Sequence, residues 1–376
     1  MAVALLAGAG WWVVRAPAIA HVAAAPPPDI DLDTPAMRAQ REAVLALAAM
    51  PDDPWTFAES LAASAPDRAA DKEQCGMEDG PQFSNPAADG ELPVQTRAAT
   101  ARYLSAEARI DAALRSSADP LDRAVADLVN TGDMRSTEGR DEAVVQQAVA
   151  STDARLYALG YGLCHSMRAA PPSCARIDAT RWAQVDAGNG IPWFYALAQA
   201  QAAGDAAGVS DAMSRLAGSS RFDLYPHAVA GVVARRVPQD GEDLAAAGGL
   251  VSKAFFEAMS LNFPSFQPLV QVCGNHAGGD EQLEQQCRAI SDAMFEHSDN
   301  LISLSISGAV LAKMTGDTSR RDLVHAERVV LAAHWSPATG FSPCQEIRDA
   351  IKFHLRSAQI GEVEALRERA RKFVTP

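Results

Sequence analysis

Trp182–Ala217, WAQVDAGNGIPWFYALAQAQAAGDAAGVSDAMSRLA, decides the fold. It reads as the end of one helix, a tight connection, a second helix, a Gly-Asp turn and a third helix. Trp193, Ala196, Leu197, Ala200 and Ala203 recur at i, i+3, i+4 and i+7, which lays an apolar stripe along one helix face. Gly204-Asp205 ends that helix, because glycine takes the left-handed closing conformation without a Cβ penalty. Val209, Ala212, Met213 and Leu216 restart the same period beyond the turn. The stretch therefore predicts an antiparallel helix pair.

The aspartate-asparagine connection (Asp186, Asn189), the tryptophan opening the next helix (Trp193) and the Gly-Asp turn at Gly204 and Asp205 resemble a tetratricopeptide (TPR)-type repeat. The match covers about one repeat. Val209 stands where that family usually has a small alanine, and no regular period continues on either side. What the resemblance implies is a helical interaction scaffold rather than a chemistry. It also places Trp193 in the core. Trp193, Phe194 and Tyr195 together sweep roughly 200° of helix surface, more than a packing stripe needs. Tyr195, nearly opposite Trp193, is then the exposed member and the candidate partner contact.

Further along, Cys287, Ile290, Phe295 and Asp299 repeat the spacing of Cys174, Ile177, Trp182 and Asp186. The helix that follows each set ends at a Gly-Asp turn, Gly204-Asp205 and Gly316-Asp317. Each set also has an upstream cysteine, Cys164 and Cys273. Two related disulfide-bearing units are expected, with chance agreement of common residue types as the alternative. Their cysteines predict the pairs Cys164–Cys174 and Cys273–Cys287, and elimination leaves Cys75 with Cys344. Disulfides persist in oxidising compartments. A zinc site is disfavoured because no C-x-x-C or H-x(3–5)-H spacing occurs. Six scattered buried thiols in a reduced protein are the remaining alternative.

Hydrophobic residues make up 48% of the 376 residues, alanine foremost, and aromatics only 6%. Such a composition suits close-packed helices better than a β-sandwich. The net charge of −14 opposes binding to phosphate backbones, so nucleic acid is not an expected partner.

At the N-terminus, residues 1–25 are expected to be a signal peptide or membrane anchor, apolar from Ala2 to Val14 and joined by a proline-rich linker, 26–33, to the rest. No Lys or Arg precedes the apolar run, so either the true start lies upstream or the segment stays as an anchor. Either way the expectation is periplasmic, secreted across or anchored in the inner membrane, with membrane contact through this segment alone. An N-terminal helical region, 34–137, follows. It starts with helices from Thr34 and Pro54, continues through a long irregular loop, 66–93, and then a helix over Gln95–Ser117 with Tyr103, Leu104, Ile110 and Leu114 inward. Asp119-Pro120 caps the next helix. From 138 to 376 helix follows helix with short turns, giving an all-α class and stacked helical hairpins, an α-solenoid.

No constellation points to a reaction. Cys164-His165 lie about 100° apart on a helix, poorly placed as nucleophile and base. His325 and His334 fit no metalloprotease spacing, and Gly188 and Gly278-Gly279 lack the lysine of a phosphate loop. Arg235-Arg236 and Arg320-Arg321 read as helix-end charges. Neither a cofactor nor a metal is implied. The leading expectation is a non-catalytic scaffold that binds an envelope protein. The alternatives are an envelope enzyme with a site of non-motif residues, and a binder of small molecules or peptides.

Overall fold

The computed structural model describes residue 75 and residues 94–129, 137–166, 170–238, 241, 243–275, 280–316, 318–322, 324–325 and 343–374. All of them belong to the unit formed by Arg68–His334 and Pro343–Pro376. The expected signal or anchor (1–25), the linker (26–33), the helices from Thr34 and Pro54, the loop 66–93 apart from Cys75, and most of the helix expected over Ser319–Trp335 lie outside the described residues.

Helix follows helix, as the periodicity predicts. In chain order they are α1 (Val94–Arg115), α2 (Pro120–Val129), α3 (Thr137–Ala150) and α4 (Ala154–Ser166). A 3₁₀ turn (Pro172–Arg176) leads to α5 (Ala179–Val185), α6 (Ile191–Ala203), α7 (Ala206–Ala217) and α8 (Pro226–Ala234). Then come α9 (Leu244–Asn262), α10 (Gln267–Asn275), α11 (Glu281–His297), α12 (Leu301–Thr315), α13 (Pro343–Ile360) and α14 (Glu362–Val374). The fold is all-α; among the described residues only two isolated bridges, Asn189–Arg221 and Phe222–Ser298, are β-like.

Local chemistry sets the helix ends. Asp119, Asp178, Asp205, Asp280 and Asn300 each accept a backbone N–H of the first turn, satisfying donors a helix start leaves open. Gly204 (φ 66°) and Gly316 (φ 73°) close α6 and α12 in the left-handed region.

Neighbouring hairpins pack α3 on α4, α6 on α7 and α11 on α12. Helix α9 departs from that pattern, because α1, α2, α4, α8 and α13 all pack on it. Its Leu244, Ala247, Leu250, Val251, Ala254 and Ala258 are buried, and each fully buried Leu or Val contributes about 1.5–3 kcal/mol. By length and hydropathy α9 is also the one described helix apolar enough to cross a membrane, a property that a core helix shares. The expected boundary between 34–137 and 138–376 falls inside this unit, since α1 and α2 sit on α9.

Two register expectations are corrected. In α1, Ala106, Ile110 and Leu114 point inward and Tyr103 is half-buried, but Leu104 is 50% exposed. Six residues separate Leu104 from Ile110, which turns it about 120° away from that face. In α6, Ile191, Phe194, Leu197 and Ala200 form the buried stripe, so its axis runs through Phe194 rather than Trp193. Trp193 and Tyr195 flank it at about 100° on either side, and both are half-buried. Trp193 lies under the Arg215 guanidinium at 5.5 Å. Tyr195 packs edge-on to Tyr161 at 4.8 Å and near Trp182 and His165. Tyr195 is therefore not the exposed aromatic, because α4 and α5 cover the flank that the helix alone left open.

Candidate functional site

Four connections and the end of α9 meet around Arg221–Tyr225. Asp186 closes α5 and its carboxylate is fully enclosed. Trp182 Nε1 (3.2 Å), Asn189 Nδ2 (2.8 Å) and the Tyr225 hydroxyl (2.9 Å) donate to one of its oxygens, and the Arg221 guanidinium pairs with the other. An enclosed carboxylate without these donors is prohibitively costly; with them it fixes four side chains at once.

Three buried asparagines then hold three consecutive carbonyls. Asn300 donates to Phe222 O (2.9 Å), Asn189 to Asp223 O (2.9 Å) and Asn262 to Leu224 O (3.0 Å). Asn189 also accepts from Asp223 N and Ile191 N, so one side chain pairs with this segment as a strand would and starts α6. The side-chain amides replace the missing sheet partner, leaving few buried backbone groups unpaired. Tyr225 has φ 61°, the one non-glycine residue with positive φ among those described. The following Pro226 disfavours the ordinary helical conformation at Tyr225, and the hydroxyl bond to Asp186 holds the strained alternative. A Cβ at Gly190 would run into the Phe222 ring, so only glycine fits that crossing.

Beside this junction lies a polar cleft of about 310 Å³, whose lining includes Arg221, His297, Asp299, Glu364 and Arg367. Burial raises the Asp299 carboxyl above its usual range. Asp223 is half-buried as a residue, yet its carboxyl is pushed up to about 7, first by desolvation and then by the charge of Asp299. Elsewhere, the small cavity between α2, α3 and α4 holds about 10 Å³, the room of one water.

The cysteines pair as expected: Cys164 with Cys174, Cys273 with Cys287 and Cys75 with Cys344, at Cα separations of 5.5, 5.8 and 5.6 Å. Cys164 is thus no nucleophile, and His165 stacks on Tyr161 at 3.9 Å with Nδ1 on the Tyr161 carbonyl. Arg235 and Arg236 bind Asp122, and Arg320 pairs with Asp292 over the Phe295 ring. His325 is exposed, while His334 and Gly278-Gly279 lie outside the described residues.

Sequence reasoning found Asp186 and Asn189 as a connection but missed Arg221, Asp223, Tyr225, Asn262 and Asn300. The signals available were Asn300 before an apolar run and Tyr225-Pro226; nothing linked them across the chain. Compared with known proteins, the chain matches no family model, no curated protein and no solved structure.

Proposed function

We propose that the chain is a non-catalytic helical scaffold, exported across or anchored in the inner membrane, that mediates protein–protein contact in the bacterial cell envelope. The three cystines carry this reading, since they bind segments up to 269 residues apart and such links persist in oxidising surroundings. It is further supported by Asp186, whose carboxylate is occupied in holding loops together. In this reading α5, α6 and α7 make one tetratricopeptide-like repeat, and the stacked hairpins α6–α7 and α11–α12 present side chains to a partner. The exposed aromatics offered for contact lie beside these hairpins, Phe256 on α9 and Phe263 at its end, 41% and 42% exposed, with Tyr195 of α6 half-buried. A C-terminal alkaline-phosphatase fusion should be active, and a photo-crosslinker at Phe256 or Phe263 should give a discrete adduct in intact cells. An inactive fusion, free thiols in non-reducing peptide maps and no adduct would together refute it.

A second reading, an envelope enzyme, draws on the carboxyls of Asp223 and Asp299, both held above the ordinary range beside the cleft. Loss of complementation by Asp299→Asn, with fold and crosslinks intact, would put this reading in place of the first.

A further inference from the structure

Two histidines that no sequence pattern connects meet inside the fold. His227 sits in the first turn of α8 and His354 on α13, 127 residues later, and their Nδ1 atoms are 3.0 Å apart. Both rings are buried, 6% and 9% exposed by residue. Phe255 of α9 and Phe353 of α13 pack against His227 at 4.8 and 5.4 Å between ring centroids. Around them the helices fit closely: a Cβ at Gly231 would lie 3.1 Å from that of Ala358.

At that distance a proton must lie between the two nitrogens, one donating and one accepting. Two neutral rings satisfy the geometry, and so does one cation with one neutral ring. Two cations do not, because both Nδ1 atoms would carry hydrogens and like charges would face each other in an apolar pocket. The His227 Nε2 atom is buried without a hydrogen-bond partner, and Glu362 Oε1 stands 3.9 Å from it. Glu362 is a hub of its own. Its other oxygen accepts from Leu301 N (3.1 Å), and its backbone N–H donates to Asp299 O (2.7 Å). It thereby stitches α14 to the start of α12 and to the loop that reaches the polar junction.

We propose that His227, His354 and Glu362 form a proton-operated clasp that fixes the C-terminal half of α13, and α14 with it, against α8 near neutral pH and releases both in mildly acidic medium. The closed clasp holds at most one added proton, with Glu362 as counter-charge to His227. The open one takes two, so acid favours opening by mass action. Burial first, and His227 second, push His354 protonation down to about 3, in line with a ring kept neutral while closed. Among charged groups on the packed helices, Lys253 of α9 binds Val129 O, Arg356 of α13 binds Glu368 of α14, and Asp122 of α2 holds Arg235 and Arg236 beyond the far end of α8, and the charge that acts on His354 is that of His227. Opening frees Glu362 from Leu301 and Asp299, which uncouples α14 from the junction. The Cys75–Cys344 bond keeps the start of α13 attached, so the release is local and reversible.

Hydrogen exchange on the full, disulfide-intact chain at about pH 7.5 and about pH 5.5, corrected for intrinsic rates, tests this. Residues 351–374 should lose protection by up to about tenfold per pH unit below about 6.5, while α6 and α7 keep theirs. His354→Gln and His227→Gln keep a hydrogen-bonding group that does not titrate, and each should flatten that dependence. Equal protection at the two pH values, or a dependence that persists in the double variant, overturns the proposal. Histidine ¹⁵N spectra of the unmodified protein give an independent reading should the variants not fold. His354 neutral at about pH 5.5 in the closed population is expected, and two protonated rings with 351–374 still protected refute the clasp.

Discussion

Helices α6 and α12 both begin next to an asparagine and end at a left-handed glycine, and what precedes them differs. Each starts beside an asparagine whose Oδ1 accepts from the first turn, Asn189 and Asn300, and each ends at a left-handed glycine. Both asparagines also reach across to neighbouring carbonyls of the same segment, Asp223 and Phe222. Upstream the two regions part. Cys174 lies in a 3₁₀ turn and Cys287 inside the unbroken helix α11. Trp182 is fully enclosed, whereas Phe295 is half-buried beneath Arg320. Asp186 is enclosed and fully bonded, whereas Asp299 borders the cleft with its carboxyl raised by burial. The left-handed glycine stops are shared and local, whereas the starts differ in detail: Asn300 is the cap of α12, and α6 starts from Gly190 with Asn189 one residue before it. The fate of the aromatic and the aspartate depends on which distant segment lies against them.

The sharpest break of this comparison is the aromatic. Trp182→Ala should cost about 3–5 kcal/mol in urea unfolding, as deletion of a fully buried aromatic does. Phe295→Ala should cost about half as much or less, because its site is partly solvated already. Equal losses would mean that the two regions are equivalent in packing after all.

Next come the cystines of the two regions. They close spans of 10 and 14 residues, and chain-entropy estimates put each near 3 kcal/mol with a difference of about 0.3. Replacing either pair by serines should therefore lower the denaturation midpoint by similar amounts. A large difference would show that one of them carries native strain.

The aspartates differ in sign as well as size. Asp186→Asn leaves Arg221 without its counter-charge and should cost about 2 kcal/mol, discounted from the buried-pair value because Arg221 is 42% exposed. Asp299→Asn should change stability at neutral pH by less than about 0.5 kcal/mol or raise it, since burial already disfavours the charge. Thermal melts at pH 7 decide the matter.

Their neighbour Asp223 adds a pH signature. With its folded value near 7 and an unfolded one near 3.9, the folded state binds the extra proton, so Asp223 adds stability at low pH that is lost as pH rises toward 7. His354, near 3 folded and near 6.5 unfolded, acts oppositely, removing stability as pH falls through that window. Between about pH 4 and 6.5 these two contributions oppose and nearly cancel each other, which flattens the stability curve there. Asp223→Asn should expose a loss of about 1.4 kcal/mol per pH unit on acidification. A curve that remains flat in this variant would show that His354 is not held neutral.

The smallest effect belongs to the closing glycines. Gly204→Ala and Gly316→Ala meet no neighbouring atom within 4 Å and should each cost only the left-handed backbone penalty, about 1 kcal/mol. Unequal values would show that one helix end is held by more than its own conformation.

The sequence alone determined what neighbours along the chain decide. Helix periodicity, with Gly204 and Gly316 as stops, placed α6, α7, α11 and α12 within a residue or so, and Asp119-Pro120 marked the start of α2, since each relies on contacts fewer than five residues apart. The cystine pairs were also legible, from even number and repeated spacing. Only the tertiary structure decided which flank of Phe194 is covered, because α4 lies over Tyr195 and α7 carries Arg215 over Trp193. It alone decided that Asn189, Asn262 and Asn300 converge on Phe222, Asp223 and Leu224, and that His227 meets His354. Those partners stand 34 to 127 residues apart. A buried polar group takes whichever partner the packing brings within 3 Å, and no periodicity in one segment encodes the position of another.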